Sequence, residues 1–148
     1  MVEAPLGGGF PAALPIATAA TWLWVGMVLA ISFIEAPLKF RAPGVTLPIG
    51  LGIGRLVFRA LNIAEGVFAL VLLVCVLLGP APGEGPAAVA ILALLIQLLA
   101  VRPRLTRRTD AVLAGGPTDK RSNAHYWYVG LEAVKLVALM VVGIALVS

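Results

Sequence analysis

The sequence predicts an all-α protein, a four-helix transmembrane bundle with both termini outside (N-out/C-out). Three observations predict it. The 148-residue chain is 61% hydrophobic and only 12% charged, more apolar surface than one small soluble domain can hide from water. The apolar residues gather into four segments of about the 20 residues that a bilayer requires. The Lys and Arg residues concentrate in the joints on one side of those segments. One domain covering 1–148 is expected at this length. The formal charge of +4 does not point to nucleic acid, because the positives are local to loops and lack aromatic interleaving. Cys75 has no partner cysteine and reads as a small buried hydrophobe.

The spans are expected at about 15–34, 48–78, 86–101 and 124–148. The stretch before the first carries Glu3 and no Lys or Arg, unlike a signal peptide, so the first segment is read as a retained span. Pro37 and Pro43 close it, Gly79–Pro86 separates the second from the third, and Pro103 closes the third. No alternating run of strand length interrupts the pattern. From Ile49 to Leu78 the second segment would make about 45 Å of continuous helix, too long for a simple crossing. Its glycine-dense start, with Arg55 and Arg59, is therefore placed at the interface. Gly50 and Gly54 form a small-xxx-small pair suited to close packing, or to flexibility, at the inner end.

Orientation follows from the basic joints. Lys39 and Arg41 lie between spans one and two, and Arg102, Arg104, Arg107, Arg108, Lys120 and Arg121 between three and four. Positive loops stay in the cytoplasm, so the reading is a multi-pass protein of the inner (plasma) membrane. Trp22 and Trp24 at the outer end of span one, and Tyr126, Trp127 and Tyr128 at the inner end of span four, suit interfacial aromatic belts. Expected partners are membrane lipids, with anionic headgroups at the cytoplasmic loops, and a second copy or a membrane complex. The Arg102–Arg121 joint, with Asp110 and Asp119 as its negatives, is read as a loop.

Ionisable residues inside such segments are costly and mark functional sites by default. Arg55, Arg59, Asn62 and Glu65 share one helical face, as do His125, Tyr128, Glu132 and Lys135. Counted from the outer ends, Glu65 is level with Lys135 and Asn62 with Glu132, so adjacent helices would let Glu65 meet Lys135, and Asn62 or Arg59 meet Glu132. Glu35 and His125 would sit at the cytoplasmic rim. The candidate ligand- or ion-binding residues are Glu35, Arg59, Asn62, Glu65, His125, Tyr128, Glu132 and Lys135. A single histidine and no cysteine cluster argue against a metal site, and neither a cofactor nor a catalytic residue is expected. The cluster either lines a cavity that binds or transports a proton, ion or small polar ligand, or acts as helix glue in an accessory or scaffold subunit. The two halves also read alike: an apolar span, a basic joint, then a span with one internal glutamate, Glu65 or Glu132.

The stretch FIEAPLKFRAPGVTLPIGLGIGRLVFRALNIAEG, with HYWYVGLEAVK later, resembles small bacterial four-span integral membrane proteins. These are related to a domain-of-unknown-function family that also contains small eukaryotic transmembrane proteins. Phe33, Pro37, Phe40, Gly54, Phe58, Asn62 and His125 carry the resemblance, which implies a four-span fold and no particular activity. Arg59, Asn62 and Glu65 are also similar to the Arg…Asn…Glu signature of the membrane-associated eicosanoid and glutathione metabolism proteins. That resemblance implies a trimeric, glutathione-dependent membrane transferase. Here the Arg-to-Asn spacing is one residue shorter than in that signature, and span four offers Lys135 where an arginine is expected.

Overall fold

The computed structural model describes residues 12–79, 82–117 and 123–148. Four helices account for nearly all of them, and no strand is present among the described residues. They are α1 (Ala13–Arg41), α2 (Leu47–Leu78), α3 (Glu84–Leu113) and α4 (Asn123–Val147), each long and apolar enough to cross a membrane. The architecture is the expected all-α four-helix bundle of a small polytopic membrane protein. Large apolar side chains such as Leu56, Leu77, Leu99 and Val137 cover its outside, as a hydrocarbon solvent permits.

Two spans differ from the boundaries read from sequence, for the same reason. Pro37 and Pro103 were expected to end α1 and α3, and neither does. Proline lacks an N–H, and its ring collides with the carbonyl four residues back. Here that carbonyl belongs to Phe33 or Leu99, and each lies in a π-helical turn, Leu29–Glu35 or Gln97–Val101. The wider i→i+5 turn absorbs the missing donor and relieves the collision. Much of the expected Arg102–Arg121 loop is consequently helix, continuous with α3 as far as Leu113. Lys120, Arg121 and Asp119 lie outside the described residues, as do Glu3 and the rest of the segment before residue 12. The second span is one unbroken helix of 32 residues despite its glycines.

In the bundle, α1 packs along both α2 and α4, and α3 packs along α4. α2 and α4 are thus diagonal across the bundle axis, not side by side as equal depth had suggested. Near the chain termini the core is dry and built from small or branched residues, including Ala17, Leu72, Ala90, Leu139 and Val142. Its alanines let the helix backbones approach closely. At the opposite, basic end the packing is looser. Gly50 is buried against the Phe40 ring, where a Cβ would collide with it, and Gly54 makes room for the Lys39 ammonium. The small-xxx-small pair thus admits side chains of α1, not a neighbouring backbone. Gly83, with φ +93°, supplies the left-handed residue that starts α3.

Candidate functional site

Midway along the bundle, each helix contributes one or two polar side chains to a single layer. Lys135 on α4 is fully buried and forms an ion pair with Glu65 across the axis. The same ammonium donates to Gln97 Oε1 at 2.8 Å and to Glu132 Oε1 at 3.1 Å. Gln97 Nε2 donates to Glu132 Oε1 at 3.0 Å, and the Trp24 indole N–H donates to Glu65 Oε1 at 2.9 Å. Trp24, Glu65, Gln97 and Lys135 have no exposed surface, and Glu132 retains 1%. Opposite charges at hydrogen-bond distance are what make such burial tolerable. The direct Glu65–Lys135 pair is reached across the diagonal because both chains are long and the centre of the bundle is narrow.

The layer connects at its lower edge to a cavity of ≈ 670 Å³ between the basic ends of all four helices. Its floor includes Glu132, Tyr128 and Ser32. His125 lines its outer part, about 10 Å along α4 from Glu132 at 1.5 Å per residue. One wall is apolar, with Phe33, Phe40, Phe58 and Leu51; the α3 wall carries Arg102, Arg108, Thr106 and Thr109. Phe58 meets Tyr128 edge to face at 5.5 Å and lies under the Lys39 ammonium at 5.2 Å, which together hold that corner. Ser32 Oγ, Tyr128 Oη and Glu132 Oε2 are buried without a hydrogen-bond partner, as are Asn62 Oδ1 and Glu65 Oε2. Buried polar atoms are ordinarily satisfied, so three unsatisfied ones at the floor of one cavity single it out.

The candidate residues divide accordingly. Glu65, Glu132 and Lys135 meet in the layer, Tyr128 lies just below it, and Asn62 is buried one turn from Glu65 without joining it. Arg59 is exposed and forms no pair with Glu132, so its sharing of a face with Glu65 was too coarse a guide. The Arg59, Asn62 and Glu65 signature is not assembled within the chain. Glu35 binds Lys39 one turn away at 3.3 Å, and Arg55 binds Asp110 of α3; both are local to the basic end. His125 is exposed and packs edge to face with Tyr126. No group of three metal-ligating side chains is found among the described residues.

Two members of the layer were missed. Gln97 is the one amide side chain in an otherwise apolar third span, and by the rule applied to Glu65 it should have been a candidate. Trp24 was assigned to an aromatic belt but is buried against Glu65. Tyr128 likewise leaves the belt, whereas Tyr126 and Trp127 remain exposed at 59% and 69%. Comparison with known proteins adds no relative: no family model, no curated protein and no solved structure matches the chain. The site must be understood from its own chemistry.

Proposed function

We propose that this small multi-pass membrane protein binds a small polar ligand, or exchanges a proton, in the cavity at its basic end. Glu132 and Tyr128 are the residues that meet the ligand. One observation carries this reading: the cavity ends on buried polar atoms that find no well-formed hydrogen bond within the chain. Glue between helices needs no such space, and a scaffold subunit would be expected to fill it.

Proton exchange is the form of transport that the charges favour. The cavity wall carries Lys39, Arg55, Arg102 and Arg108, which repel a metal cation but do not bar a proton moving along hydrogen bonds. From Glu132 the contacts continue through Lys135 to Glu65 and end at Trp24, a chain of the kind that relays protons in membrane proteins. Beyond it stands the dry core, so passage to the other side would need those helices to part. With the basic joints in the cytoplasm, the cavity is the inward-facing one.

Proteoliposomes loaded with a pH-sensitive dye test the proposal. Under an imposed gradient the wild type carries protons, and Glu132→Gln does not while still eluting as a single species. Equal flux in both contradicts a role for Glu132. Absence of flux in the wild type, with aggregation of Glu132→Gln, supports a structural subunit.

A further inference from the structure

Most charges around the cavity are matched, and the matching leaves a remainder. Glu35 offsets Lys39, and Asp110 offsets Arg55. Lys135 lies between Glu65 and Glu132, which leaves one negative charge. Arg102 lines the same cavity as Glu132 and offsets that charge. Arg108 then faces the cavity with no anion among the described residues. Five cations meet four carboxylates, so the half-enclosed space carries one positive charge in excess.

The chemistry that fits has three parts. Guanidinium groups suit phosphoryl oxygens, which they bind through planar, bidentate hydrogen bonds; Arg102 and Arg108 both line the α3 wall, where Thr106 and Thr109 add hydroxyl donors. Phe33, Phe40, Phe58 and Leu51 opposite offer a surface for hydrocarbon. The floor presents Glu132 Oε2 as an acceptor, with the Tyr128 and Ser32 hydroxyls able to donate or accept, which suits alcohol groups. The volume of ≈ 670 Å³ is within the range of small-molecule sites.

We propose that the cavity binds a monoanionic phosphodiester amphiphile with a hydroxylated headgroup. Its phosphoryl group sits on Arg102 and Arg108, its hydroxyls face Ser32, Tyr128 and Glu132, and its hydrocarbon lies along the phenylalanine wall. This deepens the ligand-binding reading of the same cavity and rests on it. A lipid of the surrounding bilayer and a free phosphate ester share the anionic chemistry; only the lipid also uses the apolar wall.

The test uses the full chain in neutral detergent, with short-chain phosphatidylglycerol as the probe. It raises the thermal midpoint by several degrees through mass action, and phosphatidylcholine of equal chain length does not. Arg102→Gln and Arg108→Gln each weaken the dissociation constant about tenfold, the loss of one charge-assisted hydrogen bond. Arg102→Lys weakens it less than Arg102→Gln. Arg59→Gln, exposed and outside the cavity, leaves it unchanged. Equal stabilisation by phosphatidylcholine, or equal weakening by Arg59→Gln, overturns the proposal. Equal stabilisation by inorganic phosphate or glycerol phosphate overturns the amphiphile and assigns a free anion instead. If phosphatidylglycerol fails to bind, a water-soluble thiol reagent on Ser32→Cys separates the two levels. Labelling means that the ligand class is wrong and the cavity stands; no labelling means that both fall.

Discussion

Glu65 and Glu132 occupy corresponding places in the two halves of the chain, yet their surroundings differ. Each follows an odd-numbered helix that turns through a π segment before a proline. Each accepts a hydrogen bond from that helix, Glu65 from Trp24 of α1 and Glu132 from Gln97 of α3. Both share Lys135. Glu65, however, is sealed beneath an indole and against the small-residue core, whereas Glu132 borders the cavity. Lys135 is level with Glu65, and Glu132 lies three residues, about 4.5 Å, nearer the basic end. A short step in depth, together with the bulk of Trp24, separates a carboxylate that holds helices together from one that can meet a ligand.

That comparison is broken most severely by removing what the two share. Lys135→Met leaves two carboxylates in a dry layer without the cation that bridges them. It should cost about 3–5 kcal/mol, read as a large fall in the thermal midpoint or loss of monodisperse protein. Next come the carboxylates themselves. Glu65→Leu removes the acceptor used by both Trp24 and Lys135 and should cost about 3 kcal/mol. Glu132→Leu should cost about 1–2 kcal/mol, because Lys135 keeps Glu65 and Gln97. Equal losses would show that the two sites are energetically alike. Trp24→Phe removes one indole hydrogen bond and should cost about 1 kcal/mol. Tyr128→Phe should change stability by less than about 0.5 kcal/mol in the absence of ligand, since its hydroxyl makes no hydrogen bond of good geometry.

How much of this was legible beforehand differs from element to element. Length and apolar content placed four helices, because a bilayer leaves few alternatives for spanning structure. Register along single helices placed Glu65 level with Lys135. It could not say which helices are neighbours, because heights carry no lateral information, and the pair in fact crosses the diagonal. Pro103 misled because a π turn that accommodates proline has no marker in the residue types themselves. Trp24 misled because its position in the chain suits a membrane interface and a buried indole equally well. Gln97 was legible and overlooked, as the lone amide of its span. The cavity was not legible: it arises where Gly50, Gly54 and the basic ends of four helices meet, and no single segment encodes that space.

The central claim is that the basic half of the bundle admits water-borne reagents to its floor and the polar layer does not. Ser32 and Thr21 lie on the same helix, Ser32 at the cavity and Thr21 fully buried above it. In a Cys75→Ser background, Ser32→Cys and Thr21→Cys can be reconstituted separately and exposed to a charged, membrane-impermeant thiol reagent. Rapid modification at residue 32 with none at residue 21 is the predicted result. Equal modification at the two positions, or none at residue 32 in folded protein, would contradict the account.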